Sequence, residues 1–445
     1  MPGGDIRDFI AVLESRGLLH RVSAGVNPAL EIAEITARAS KMPGGGKALL
    51  FERVRGSAFQ VATNLFGSQQ RMLLALGGGL TNIIATGDDM SRGFAPVTID
   101  NAPCQEVVER KNADLTRFPF LKLMPEDGGH EGGRFITLPL VLTKDPETGS
   151  QNCGMYRVQI HGRKTATIRW LPGSGGVRHY EKYAALGGRM PVAVAVGGPP
   201  ALTVAACAPL PDDVDEMAFA GFLHGAAVET TKCLTNDLTI PAHAELVIEG
   251  YVDPGETLVE GPFANHTGYY SPPAPAPVFH ATCVTHRRDA IVPATVVGRP
   301  PVENCYMAEA VGRLMMPFMR RDFPEIAALS FIREGIFHGC AVLSVREPPG
   351  GVQAFIRRVW ASGGMLRGSR LLVVVDADVD ASDLSYVTWR VFNNADWRRD
   401  VLIDETGARL AIDATRKRDG RIEARMGGEV EALVSARWSE YGLGE

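Results

Sequence analysis

Residues 260–270 read EGPFANHTGYY and set a carboxylate, Glu260, in front of a Gly-Pro turn, with an amide, Asn265, five residues on. A second acid at that place would complete a pair for general acid/base work; an amide cannot donate a proton at a useful rate. A hundred residues earlier, NCGMYRVQIHG carries Arg157, and period-2 alternation puts Arg157, Gln159 and His161 on one strand face, with Tyr156, Val158 and Ile160 on the other. A charged arginine on the inner face of a barrel needs an anion to meet it. On a solvent face it needs none, and His179 and Glu229, taken singly, also read as ordinary surface or core residues. Together Asn152, His179 and Glu229 offer an amide oxygen, an imidazole nitrogen and a carboxylate, a donor set suited to Mg²⁺ or Mn²⁺ rather than to the thiolate sites of zinc. So few protein ligands leave room in the ion's shell for water or a ligand phosphate.

The elements that must position these residues fall into three groups. DIRDFIAVLESRGLLHRV (5–22) has Ile6, Phe9, Ile10, Leu13 and Leu18 at helical spacing, and a second amphipathic run follows from Pro28 to about Ser40. KALLFERV reads as a buried strand. The three glycines before Lys47 lack the Ser or Thr and the preceding strand of a phosphate loop, so they read as a turn. From about residue 100 to 300 the chain becomes a series of short β segments, FITLPLVLT, MYRVQIHG, TATIRWL, AELVIEGYV, VFHATCVTH and AIVPATVVG, with one helical insert near 213–228, the texture of a barrel or sandwich. Beyond Pro300 helix and strand alternate again, with PPVENCYMAEAVGRLMMPFMR as a helix and RLLVVVDADVD as a buried strand.

The expected class is α+β multidomain: an N-terminal α/β domain (1–100), a central β-barrel domain (101–300) and a C-terminal α/β domain (301–445). At 445 residues the chain exceeds a single core, and 45% hydrophobic with 22% charged residues is the composition of a folded globular protein. A net charge of −5 argues against a broad nucleic-acid surface. Seven scattered cysteines without a C-x-x-C pair suggest neither a disulfide framework nor a zinc site, and a reducing cytoplasm is expected. Asp5 and Asp8 stand where an export signal needs positive charge, and the longest apolar stretch, 191–210, is broken by Gly197, Gly198, Pro199 and Pro200, so no membrane span is expected.

NCGMYRVQIHG, GVRHYEKY, VETTKC and EGPFANHTGYY, in that order, resemble the UbiD family of reversible (de)carboxylases that use prenylated FMN, and DIRDFIAVLESRGLLHRV, ALLFERVRGS, NLFGSQQR, VVVDADVD and LAIDATRK extend the resemblance over nearly the whole chain. The resemblance implies that the barrel is a split, flavin-reductase-like one that holds the cofactor, and that the C-terminal domain assists oligomerisation. It implies Asn152, His179 and Glu229 around a divalent ion, manganese or magnesium, on the cofactor phosphate, with potassium nearby. Met155, Arg157, Arg178 and, from LAIDATRK, Lys417 are implied at the cofactor with them. Arg157 and Glu260 match two members of a catalytic Glu-Arg-Glu(Asp) triad, and Asn265 stands where the family has its second acid.

The implied reaction is non-oxidative decarboxylation of an aromatic or α,β-unsaturated acid, aromatic acids being favoured, with CO₂ as product and Met307 on the pocket wall. The amide leaves three readings. Glu260, or a water held by Asn265 and His266, handles the proton; or position 265 is an acid-to-amide substitution that separates binding from turnover; or the chain has drifted to weak activity. An FMN-dependent oxidoreductase and a flavin-binding protein without turnover are the competing classes. A separate flavin prenyltransferase must supply the cofactor, and a homo-oligomer, dimer or hexamer, is implied.

Overall fold

The computed structural model describes residues 4–77, 94–129, 133–336, 339–362, 364–417, 421, 423–424 and 426–442. Helix Ile6–Ser15 is capped by Asp5, whose side chain accepts from the Arg7 and Asp8 amides, and it buries Ile6, Phe9, Ile10 and Leu13, the apolar stripe legible in the sequence. It packs on a four-stranded sheet in the order Leu19–Val26, Ala48–Val54, Gln60–Thr63, Ile291–Ala294. The last strand runs parallel to Gln60–Thr63, so AIVPATVVG, read above with the barrel, completes the N-terminal sheet instead. Alternation within a strand says nothing about which sheet it joins. The glycines before Lys47 form a turn, with positive φ at Gly44, Gly45 and Gly46.

The central unit is a nine-stranded sheet. Its path runs Arg134–Ile136, Val158–Ile160, Thr165–Ile168, Ala274–His286, Leu246–Glu260, Met190–Val196, Pro139–Lys144, Gln151–Gly154, and a short strand Val107–Glu109 pairs with Ala274–His286. Its pairings are antiparallel, with Val, Ile and Ala on buried positions. The long pair Leu246–Glu260 and Ala274–His286 slips register between Glu249 and Gly250 and between Val252 and Thr257, which bends the sheet. A side chain at Gly250 would meet the His280 carbonyl oxygen at 2.1 Å, so only glycine lets the strands approach there. This curled sheet is the half-barrel expected from the strand-rich segment.

Helices Glu303–Leu314 and Met316–Asp322 replace the single helix read from the sequence, with Pro317 in the first turn of the second. Tyr306, Met307, Ala310 and Leu314 of the first are buried in one core with Phe9, Leu13, Leu65 and Phe66 of the N-terminal domain and Leu140 and Ala193 of the half-barrel. The C-terminal sheet runs Ile326–Phe331, Cys340–Val345, Leu371–Asp376, Leu410–Asp413, Val401–Ile403, with separate apolar clusters on its two faces. Among the described residues no helix is long and apolar enough to cross a membrane.

A buried ion network ties the N-terminal helix to the half-barrel. Glu245, 0% exposed, accepts from Arg7 Nε and Nη2 at 2.7 and 2.8 Å, and its Oε1 lies 3.6 Å from Arg287 Nη1, while Arg287 Nη2 donates to Asp5 at 2.8 Å. Removing Glu245 leaves the buried Arg287 with Asp5 as its remaining carboxylate among the described residues and takes the acceptor from the Ile291 amide. Glu245→Ala is expected to cost about 3–5 kcal/mol, read as a lower urea midpoint with an unchanged slope.

Candidate active site

Glu260 ends the long strand Leu246–Glu260, and Gly261 turns the chain with φ 89°, a conformation glycine adopts without strain. Arg157 precedes the strand Val158–Ile160. Their side chains meet in a bidentate pair: Nε donates to Oε1 at 2.6 Å and Nη2 to Oε2 at 2.9 Å. Glu260 is 1% exposed, and the guanidinium carbon stands 4.5 Å from the centroid of the Phe263 ring. The predicted alternation holds, since Gln159 points to the same segment as Arg157 and accepts from the Gly261 amide at 2.7 Å, while Tyr156, Val158 and Ile160 lie in the core. His161 bonds Thr167 Oγ1 at 3.0 Å.

Asn265 opens the turn of a hairpin whose strands are Phe263–Ala264 and Tyr270–Ser271. Its Oδ1 accepts from the Thr267 amide and hydroxyl at 2.8 and 2.7 Å, and its Nδ2 donates to Ser271 Oγ at 2.7 Å. The amide thus builds an Asx turn with both ends engaged.

A second polar group lies where Gln151–Gly154 pairs with Pro139–Lys144, setting Asn152 opposite Thr143. Helix Gly175–Leu186 starts against Asn152: a side chain at Gly175 would meet Asn152 Oδ1 at 1.9 Å. From that helix His179 Nδ1 bonds Thr143 Oγ1 at 2.9 Å, which leaves Nε2 as the ring nitrogen for a ligand. Burial lowers the His179 pKa and so favours the neutral ring. Thr143 thus stands between Asn152, its strand partner, and His179, its hydrogen-bond partner.

Glu229 is not brought to them by any contact among the described residues. It sits on Glu229–Lys232 in a separate three-stranded sheet and bonds His243 Nε2 at 2.6 Å, beside the ion network of Asp5 and Arg287. The carboxylate that reaches this place is Glu216, at the start of helix Glu216–His224, whose Oε2 accepts from the Cys153 amide at 3.1 Å. Burial lifts its pKa to about 7, against the opposing effects of the Cys153 amide and the Arg178 charge. The sequence held one signal for it, an acid opening an otherwise apolar helix behind an N-cap aspartate. Met155 lies alongside, its sulfur 3.4 Å from Cys207 Sγ. Arg178 pairs with Asp212 at 2.6 Å, and Lys417 pairs with Asp413 at 2.9 Å and Asp400 at 3.4 Å, so neither has a contact among the described residues that joins it to Asn152.

Comparison with known proteins agrees with this architecture. The family models of the 3-octaprenyl-4-hydroxybenzoate carboxy-lyase match in order: the N-terminal domain over 10–90, the Rift-related domain over 96–300 and the C-terminal domain over 305–429. An uncharacterized protein of Archaeoglobus fulgidus is 40% identical, with 98% of each chain covered. Vanillic acid decarboxylase of Sedimentibacter hydroxybenzoicus in its closed form is 26% identical, with a TM-score of 0.89 over 100% of both chains. An evolved dimeric form of the UbiD-class enzyme HmfF from Pelotomaculum thermopropionicum, in complex with prFMN, is 29% identical, with a TM-score of 0.86 over 98% of this chain and 100% of that one. The chain belongs to the UbiD family and is by class a carboxy-lyase.

The raised pKa of Glu216 makes the protein's stability depend on pH. A carboxyl with its folded pKa above its unfolded one favours the folded state most at low pH, and that contribution fades as pH rises from the unfolded value through about 7. Glu216→Gln is expected to raise the melting temperature at pH 8 and to raise it much less at pH 5, nearer the bottom of that window, as scanning calorimetry in the presence of chelator would show.

Proposed function

We propose that the protein catalyses reversible, non-oxidative decarboxylation of an aromatic or α,β-unsaturated carboxylic acid with prenylated FMN, aromatic acids being favoured. The observation that carries the reading is the bidentate Arg157–Glu260 pair with its buried carboxylate, in a UbiD chain that also gathers Asn152, His179 and Glu216 around the strand pair of Thr143 and Cys153. The comparison enzymes support the cofactor and the acid class, one bound to prFMN and one a vanillic acid decarboxylase.

When bound, prenylated FMN supplies an electrophilic carbon that takes up electron density from the acid, so that CO₂ can leave without a free carbanion. Arg157 gives Glu260 its Nε and one Nη2 hydrogen, so Nη1 and the second Nη2 hydrogen remain for a substrate carboxylate. Glu260 is then the group that takes up a proton from water and passes it to the carbon that loses CO₂, since the Asn265 amide is bound into its turn and carries no transferable proton.

For the divalent ion we propose Asn152, His179 and Glu216, with Glu216 in place of Glu229. Asn152 Nδ2 is buried with no hydrogen-bond partner, and exchanging the two ends of the amide would put its oxygen there, open to a cation. The oxygen, nitrogen and oxygen donors suit Mn²⁺ or Mg²⁺. K⁺, Met155, Arg178 and Lys417 at the cofactor, and a flavin prenyltransferase as its source, stay within this reading. Self-association is supported by helix Gly428–Ala436, which buries none of its residues while Val430, Leu433, Trp438 and Tyr441 are exposed.

Protein co-expressed with a flavin prenyltransferase is expected to release CO₂ from at least one acid in a panel of hydroxybenzoic, heteroaromatic and cinnamic acids; flavin-loaded protein inert to them all sinks the reading. Glu260→Gln should lower turnover by roughly 10²- to 10⁴-fold with the flavin spectrum retained. Asn265→Asp should leave turnover close to the parent's, whereas a gain of roughly a hundredfold would move the proton-donor role to position 265. For the metal, Glu216→Gln and His179→Ala should each lower retained Mn²⁺ at least about tenfold by elemental analysis. Glu229→Gln should retain it.

A further inference from the structure

The segment from Glu260 to Asn265 is held from beneath by two side chains with no part in the chemistry described so far. Asp127 is 0% exposed and Gln159 is 3% exposed. Gln159 Oε1 accepts from the Gly261 amide at 2.7 Å, Asp127 Oδ1 accepts from the Ala264 amide at 2.7 Å, and the Gly128 amide donates to the Pro262 carbonyl at 2.7 Å. Proline has no N–H, so two of the three amide donors between Glu260 and Asn265 end on these two side chains.

The second oxygen of Asp127 accepts from the Met124 amide at 2.9 Å and so folds its own turn, and the Glu126 amide of that turn donates to the Tyr270 hydroxyl at 3.2 Å, on the far strand of the hairpin. One compact turn, residues 124–129, therefore grips both strands that follow Glu260. A side chain at Gly128 would lie 2.9 Å from Gln159 Nε2, so turn and glutamine are packed against each other.

Burying a carboxylate is costly and is offset in part here by amide donors on both oxygens. An asparagine in its place would still accept at one end but would set an N–H against an N–H at the other. A carboxylate is the side chain of this size that accepts on both sides.

We infer that Asp127, together with Gln159, is a positioning residue that sets the Glu260 carboxylate square on Arg157. The inference rests on the reading that Glu260 handles the proton, because that role is what makes its placement matter. A displacement of about 1 Å in a catalytic group can cost on the order of a hundredfold in rate.

The test compares Asp127→Ala, Asp127→Asn and Gln159→Leu with Glu249→Gln. Glu249 is also fully buried and accepts from the Leu234 and Thr235 amides, away from the Arg157–Glu260 pair, so it controls for loss of a structural carboxylate. Crystal structures of the cofactor-free variants should show the Arg157–Glu260 contacts lengthened beyond about 3.5 Å in Asp127→Ala or, should that variant fail to fold, in Gln159→Leu. In flavin-loaded protein, kcat should fall at least about tenfold with KM little changed, and Asp127→Asn should fall between Asp127→Ala and the parent. Glu249→Gln should lower the melting temperature without that loss of kcat.

A bidentate pair unchanged in both Asp127→Ala and Gln159→Leu overturns the inference, and so does a loss of kcat as large in Glu249→Gln. Because the pair's geometry is read without cofactor, a parent protein that decarboxylates no acid overturns the proposed function while the positioning is still decided by the crystals.

Discussion

The site depends on one ion pair in a place where ion pairs are expensive. Taking the Glu260 carboxylate out of water, and most of the Arg157 side chain with it, costs several kcal/mol, and only good geometry with further hydrogen bonds returns it. The geometry is bidentate, at 2.6 and 2.9 Å, with Phe263 facing the guanidinium. Such a pair does little for stability compared with apolar packing of the same volume. What it does provide is a guanidinium of fixed direction that keeps its end-on pair of hydrogens, one on each Nη, for gripping a planar carboxylate.

The same constraint gives Asn265 a different role from the one its position suggests. An acid at 265 would stand five residues beyond Glu260, across the Gly-Pro turn, and two carboxylates that close to one arginine push one pKa upward. An amide there spends its oxygen on Thr267 and its nitrogen on Ser271, which closes the turn without adding charge. The segment is then neutral apart from Glu260, and Arg157 needs to balance only one acid.

Much of this was legible in the sequence because it is local. The alternation of Arg157, Gln159 and His161 against Tyr156, Val158 and Ile160 is a property of one short strand, and the strand formed as read. The three-part architecture was legible for a similar reason, as helical and strand periodicities change near residues 100 and 300. The partners of Asn152 were not legible, because nothing local says which acid arrives from elsewhere. Glu229 and Glu216 are thirteen residues apart, and only the placement of helix Glu216–His224 against Cys153 distinguishes them. The return of Ile291–Ala294 to the N-terminal sheet is of the same kind: a strand's sequence encodes its faces and leaves its neighbour unspecified.

The long strand ending in Glu260 shows how far such non-local effects reach. Glu245, just before it, and Glu249 and Glu260 within it are all at most 1% exposed, and each is neutralised in a different way: by Arg7 and Arg287, by backbone amides at 234 and 235, and by Arg157. Each partner comes from a different part of the chain, so the strand's register is fixed at both ends and in the middle, and a slip of one residue would strand buried charges at several points. Glu249 and Glu260 are eleven residues apart, an odd number that in an unbroken strand would set them on opposite faces. Register shifts at Glu249/Gly250 and Val252/Thr257 interrupt that alternation. The face that Glu260 presents is therefore decided by the bulges and by what grips the chain beyond them, and periodicity alone could not have assigned it.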